Sequence, residues 1–242
     1  MRPPALIAAL AAVACAAPSS HPDDAFLPLD VPDAASDAPA GPEDASEPQD
    51  DGGPEAEAPD CPDPAAPPAV GAVIVCEIMY APRAVPDEAG EWVEVCNTTG
   101  CPVDVAGWTL AGGEGESVVI APGGSLVLPV EGRRVLGRSA DVASNGGVPV
   151  DFAYGDAIAF ESASDRVALI ASGVLIDEVV FGEEEGFDRA FGTTLSLAPD
   201  FMTHVLNDSF GGWCATDQNA PLPGGDFGTP GQENQTCCQK CG

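Results

Sequence analysis

Positive charge is scarce in this chain. Eight Lys and Arg stand against 39 Asp and Glu among 242 residues, for a formal net charge of -31. Residues 16–70 hold fourteen acids and no base, and the remainder from Gly71 holds twenty-five acids against seven bases. Phosphate backbones are bound through Lys and Arg that release counterions, so nucleic acid is excluded as a partner. An anionic lipid surface would repel the chain for the same reason. What remains are cations, basic proteins and neutral ligands, or simple solubilisation of an exported protein by its charge. Histidine is nearly missing too, with only two residues, His21 and His204. No G-x-S-x-G, H-E-x-x-H or phosphate-cradling glycine loop is present. No stretch carries a helical period, and no apolar run is long enough to span a bilayer.

One short apolar run does occur. Arg2 precedes residues 5–14, which are apolar and have the length of a signal-peptide core. The run ends in small residues and Cys15, and "AVAC" resembles the lipobox of bacterial lipoproteins, with Ala12 where that motif usually has Leu. The resemblance implies that Cys15 is acylated and becomes the new N-terminus, held in the bilayer by several chains where one would hold weakly. The alternative is ordinary cleavage with Cys15 removed or paired, which would leave the protein secreted. Residues 1–15 are thus expected to be a signal peptide. Residues 16–70, rich in Pro, Ala, Asp and Glu, bury too little to offset chain entropy and are expected to form a disordered acidic linker.

Beyond the linker the composition changes. "AVIVCEIMY", "EWVEVCN", "VDVAGWTLA", "ESVVIA", "SLVLPV", "DAIAFE", "RVALIAS" and "VLIDEVVFG" read as strands, and glycine and proline turns separate them. Val93 and Val95 share one face of their strand while Glu94 lies on the other. The expected fold is all-β, a sandwich with an irregular C-terminal strap from Phe187 to Gly242. The domain is assigned to residues 71–242.

"CEIMYAP", "GEWVEVCN", "VDVAGWTL", "APGGSLVL", "GDAIAFESASDRVALIASGVLIDEVVFG" and "DFGTPGQEN" follow one another in an order that resembles the lamin-tail domain, an immunoglobulin-like sandwich. The resemblance runs from about Val73 to Asn234. It implies that Trp92 and Trp108 are packing residues of the sandwich, with ligand stacking as the alternative. Gly107 would provide a bend before Trp108, and Gly228, Pro230 and Gly231 a turn that ends the domain. The DNA association of lamins is not carried over, because the basic surface it needs is missing.

Nine cysteines leave an even eight if Cys15 is lipidated, which points to disulfides in an exported chain. Cys96 with Cys101 would bridge the "CNTTGC" hairpin, and Cys214 with Cys237 would fasten the strap. Cys61 and Cys76 could each reach the C-terminal cluster. Cys238 and Cys241 have C-x-x-C spacing but no second pair, so no metal is assigned. Calcium at "GEEEG" or "GGEGE" is an alternative use of acids that form no EF-hand. His204, Asp208 and Ser209 are close in sequence, but a triad is a matter of geometry. Glu183, Glu184 and Glu185 read as a solvated loop rather than a glycosidase pair. Sequons at Asn97, Asn207 and Asn234 read as chance in a bacterial chain.

No catalytic residue and no cofactor is therefore assigned. The expected function is that of a non-enzymatic cell-envelope lipoprotein on the outer membrane or cell surface, displaying a binding or structural module. Its partners would be the bilayer, through Cys15, and an envelope protein or polysaccharide. A hydrolase, or an accessory domain of a secreted hydrolase, is the alternative.

Overall fold

A computed structural model describes residues 61–63, 66–113, 115–187 and 190–237. The expected signal peptide, Cys15 and the expected linker up to residue 60 lie outside them, as do Cys238 and Cys241. The fold is an all-β immunoglobulin-like sandwich. Its elements are β1 (Val73–Met79), a single helical turn (Asp87–Gly90), β2 (Trp92–Asn97), β3 (Val103–Asp104), β4 (Thr109–Ala111), β5 (Ser117–Val119), β6 (Val127–Leu128), β7 (Arg133–Gly137), β8 (Phe152–Ala153), β9 (Asp165–Ala171), β10 (Val174–Phe181), β11 (Leu195–Leu197) and β12 (Trp213–Ala215). One sheet has the order β12-β11-β1-β2-β7-β8, the other β10-β9-β4-β5, and β3 pairs with β6 alone. Every pairing is antiparallel except β7 with β8. Among the described residues no helix is long and apolar enough to cross a membrane.

The core lies between the two large sheets. Val73, Val75 and Ile78 of β1 meet Val93 and Val95 of β2 and, from the other sheet, Leu110, Val167, Leu169 and Val179. Phe181 stands between Tyr80 and Phe160, with ring centroids 5.5 and 5.6 Å apart. Such tilted and edge-on pairs add about 0.5–1.5 kcal/mol each beyond burial. Trp108 is buried in this core, and the backbone reaches it through Gly107 at φ 82°, which splits "VDVAGWTLA" into β3 and β4.

Several expected strands differ. "DAIAFE" forms no strand: a 3-10 turn occupies Gly155–Ala157, followed by irregular chain. Its alternation is nonetheless real as burial, since Ile158 and Phe160 enter the core while Ala157 and Ala159 are half-exposed. β7, led by two arginines, is a central strand that the hydrophobic pattern does not reveal. The C-terminal segment is irregular over most of its length but also supplies β11 and β12, which extend the large sheet past β1. Trp213 opens β12 and enters the main core, where its indole N–H donates to Asn207 O at 2.7 Å.

Two disulfide expectations are corrected. Cys96 bonds Cys76 on the neighbouring strand, and Cys101 bonds Cys61. A register shift between Val75 and Glu77 makes Cys76 the extra residue of a bulge beside Cys96. The "CNTTGC" loop needs no bridge of its own, because Asn97 holds it. The Asn97 amide donates to Cys101 O, Leu128 O and Pro129 O, and its carbonyl accepts from the Thr99 N–H and hydroxyl. Cys61, placed in the linker by its sequence, is thereby fixed to this loop. Cys214 and Cys237 bond each other.

Candidate functional site

The outer face of the six-stranded sheet carries the unusual chemistry. Strand periodicity puts Trp92, Glu94 and Cys96 of β2 on this face. The register sets them beside Met79 and Glu77 of β1, with bulged Cys76 disulfide-bonded to Cys96. Three tiers result: an apolar one, an acidic one and a disulfide. None is open to water, since Trp92, Glu94, Cys96, Met79, Glu77 and Cys76 are all 2 % exposed or less. Their cover comes from the chain's far end, chiefly residues 222–234.

Over the apolar tier, Trp92 packs with Met79, Val135 and Val148, against Val150 and Leu222. Its indole N–H has no partner. Gly228 crosses so close that a Cβ there would lie 3.2 Å from Trp92 Cζ2 and 3.0 Å from Thr194 Cγ2. Over the acidic tier, Glu77 Oε1 accepts from Thr194 Oγ1 at 2.5 Å, Thr229 N at 2.8 Å and Ser196 Oγ at 3.2 Å. Glu77 Oε2 accepts from Thr229 Oγ1 at 2.9 Å. Glu94 Oε1 accepts from Gly231 N at 2.5 Å, and Glu94 Oε2 lies 3.8 Å from Arg133 Nη1. At the third tier, Arg133 Nη1 sits 2.7 Å from Cys96 Sγ, and the Asn234 amide donates to Cys76 O at 2.6 Å and Leu197 O at 3.0 Å.

Two glutamates side by side out of water should resist ionisation. Burial pushes the Glu94 carboxyl up to about 8, with the neighbouring Glu77 adding to the effect and the Gly231 N–H and Arg133 opposing it. Burial likewise raises Glu77, against the pull of its Thr194, Thr229 and Ser196 hydrogen bonds. A third acid behaves the same way. Asp177 of β10 accepts from Val75 N, freed by the β1 bulge, and from Asn207 Nδ2, both at 2.8 Å. Burial raises it to about 7. Glu91, paired with Arg138 at 3.1 Å, is also raised to about 7 by burial.

Beside the third tier opens a cleft of about 680 Å³. Asn97, Thr98, Thr99 and Gly100 form one wall, Val130, Glu131 and Arg133 another, and Pro199, Met202, Glu233 and Asn234 the third, with Cys96 at the base. Its mixed lining suits a polar, neutral or cationic group better than an anion, since Glu131 and Glu233 outnumber Arg133. Cys76, Glu94 and Cys96 come within 4.8 Å of one another, as metal ligands would, but both sulfurs are committed to a disulfide and offer no thiolate.

Of the residues singled out by sequence, Trp92 and Trp108 are both buried, in different clusters. His204 is half-buried against Gly71, and Asp208 and Ser209 are exposed. Glu183, Glu184 and Glu185 are exposed, and Glu185 accepts from Ser164 Oγ at 2.9 Å. The residues sequence reasoning missed are the asparagines of the three sequons. Asn97, Asn207 and Asn234 are 5, 0 and 5 % exposed, and each amide bonds backbone carbonyls. Glycans have no access to them, and their role is to bolt loops to the sheet.

Residues 66–183 match the family model described as Lamin Tail Domain. No curated protein matches the chain. The matched stretch ends before β11, so β11 and β12, which extend the large sheet on one side of β1, and the segment that seals the glutamates lie beyond it.

Proposed function

We propose, for a chain whose residues 66–183 carry a lamin tail domain, that it is a cell-envelope lipoprotein presenting this module as a binding or structural unit, without enzymatic activity of its own. The observation that carries this reading is the fate of the unusual acids. Glu77, Glu94 and Asp177, which in an open cleft would be candidates for general acid–base work, are each sealed beneath the C-terminal segment and bonded to it. The match of residues 66–183 points the same way, since the lamin tail domain is a non-catalytic immunoglobulin-like family. The cleft between the Asn97–Gly100 loop and Glu233 is then the surface that meets an envelope protein or polysaccharide.

The anchor is the lipobox-like Cys15. The acidic segment that follows it would serve as the spacer between anchor and domain. Disulfide-bonded cysteines agree with an oxidising compartment. The test is fractionation of the full chain from a bacterial host fed labelled palmitate. The wild type takes up label and travels with the membrane, and Cys15→Ser does neither. An unlabelled wild type in the soluble fraction contradicts the anchor. Turnover of esters, phosphates or glycosides by the purified chain contradicts the non-enzymatic reading.

A further inference from the structure

The cleft beside the third tier has an uneven inventory of hydrogen-bonding groups. Its volume of about 680 Å³ falls within the range of ligand clefts, roughly 300–1,000 Å³. The side-chain donors of its walls are spent inside the protein. The Asn97 amide is held by Cys101 O, Leu128 O and Pro129 O. The Thr98 hydroxyl donates to Gly71 O at 2.5 Å, and the Thr99 hydroxyl to Cys101 O at 2.8 Å. On another wall the Asn234 amide donates to Cys76 O and Leu197 O. Arg133 keeps N–H groups to spare, but its Nη1 is turned to the base, 2.7 Å from Cys96 Sγ and 3.8 Å from Glu94 Oε2. The acceptors are not spent. Glu131 and Glu233 stand exposed on different walls, and neither carboxylate has a hydrogen-bond or ion-pair partner among the described residues. The same walls carry apolar ground in Val130, 46 % exposed, and Met202. Glu131 occupies the turn into β7 at φ 56°, a left-handed position where glycine is at ease, so the turn itself has no use for a glutamate.

Resting on the reading of this cleft as the partner surface, we propose that it docks a basic segment of a partner protein, with an arginine or lysine head between Glu131 and Glu233 and its methylene stem on Val130 and Met202. A guanidinium carries five donors and an ammonium three, and neither has an acceptor. Each complements walls whose open groups accept. Guanidinium is the more weakly hydrated of the two, which favours arginine. Both side chains can lay their stems on apolar surface while the head stays at a polar rim. Arg133 at the base keeps that head at the rim. A carboxylate or phosphate ligand would meet two like charges there. A neutral polysaccharide would bring hydroxyls, which have more lone pairs than protons, to walls short of donors. The acid excess from Gly71 onward, twenty-five against seven bases, draws cations to the whole domain. The cleft is where a cation also finds apolar ground and two unclaimed carboxylates.

Amide-resolved NMR of the full chain tests this at about 0.15 M salt, where exposed charges more than about 8 Å apart are largely screened. The probe is a capped pentapeptide carrying two arginines, and a citrulline counterpart keeps its shape without its charge. The arginine peptide should give saturable shifts at Thr98, Thr99, Gly100, Glu131 and Met202. The citrulline peptide should bind roughly tenfold more weakly or worse. Glu131→Gln combined with Glu233→Gln should cost the arginine peptide a similar factor. Glu88→Gln combined with Glu184→Gln removes as much charge from exposed positions outside the cleft, and should change affinity by less than about twofold. Shifts spread over the acidic surface with no saturable set in the cleft, or equal binding of the citrulline peptide, would overturn the proposal. So would saturable shifts in the cleft from a trisaccharide of N-acetylglucosamine with none from the arginine peptide, which would hand the cleft to a polysaccharide. None of these results bears on whether Cys15 takes up palmitate, so the anchored-lipoprotein reading and the docking of a basic segment fail separately.

Discussion

The two faces of the six-stranded sheet are held by different physics. The inner face is aliphatic and aromatic, and it packs on the second sheet with partners such as Val93, Val95, Leu110 and Phe181. The outer face bears acids, a disulfide and a tryptophan, and it is covered by a segment that attaches mainly through hydrogen bonds. Burial of apolar area is non-directional and tolerant. Sealing buried acids is directional and intolerant, because each unpaired group costs its full desolvation. The inner face therefore gives the domain its cohesion. The outer face decides where the C-terminal segment lies and under what conditions it stays.

The comparison is broken most severely by removing one side of it. A chain ended after residue 189 keeps the whole matched stretch, 66–183, but loses β11 and β12 and uncovers Glu77 and Glu94. It should show no cooperative thermal transition. A truncated chain melting like the full one would mean that the outer face needs no cover. Next comes the inner face. Phe181→Ala removes a fully buried ring that touches Tyr80 and Phe160, and should cost about 3–5 kcal/mol in denaturant unfolding. On the outer face, Asn234→Ala leaves Cys76 O and Leu197 O without their donor. It should cost about 2 kcal/mol while sparing the inner core, which near-ultraviolet dichroism of the aromatic residues would report. The smallest effect belongs to the solvent side of the second sheet. Arg166 and Glu178 lie 2.6 Å apart but are partly exposed, and Arg166→Ala should change stability by less than about 1 kcal/mol.

A pH series sharpens the contrast. Glu94 rises from an ordinary 4.5 to about 8 on folding, and Asp177 from 3.8 to about 7. Between those values the folded state binds more protons than the unfolded one. Their contribution to stability is therefore complete below the ordinary carboxylate range and is lost as pH rises through about 7 to 8. The melting temperature should fall from pH 5 to pH 9. Glu94→Gln should reduce that slope, and Phe181→Ala should lower the whole curve without changing its shape.

Sequence made the inner face legible for a simple reason: its signals are local. The alternation of Val93 and Val95 around Glu94 marks a strand, and Gly107 before Trp108 marks the break between β3 and β4. The outer face was not legible, because its partners are remote. Thr194 reaches Glu77 across 117 residues, Gly231 reaches Glu94 across 137, and Thr229 reaches Glu77 across 152. In sequence a glutamate alternating with valines is the mark of a solvated face, and only the returning segment makes it a buried one. The role of the asparagines was hidden for a related reason. Asn97, Asn207 and Asn234 stand in sequons, yet each spends its amide on carbonyls of other segments. "DAIAFE" alternates because Ile158 and Phe160 are buried, although no neighbouring strand pairs with it, which shows that period two reports burial before it reports a ladder.

The most direct test of the central claim, that the C-terminal segment is an integral cover clamped on buried acids, is native-state hydrogen exchange resolved by residue at pH 5. The account predicts that the Gly231 and Thr229 amides, which donate to Glu94 and Glu77, are protected nearly as strongly as the amides of β2. Free exchange at Gly231 and Thr229 beside a fully protected β2 would contradict it.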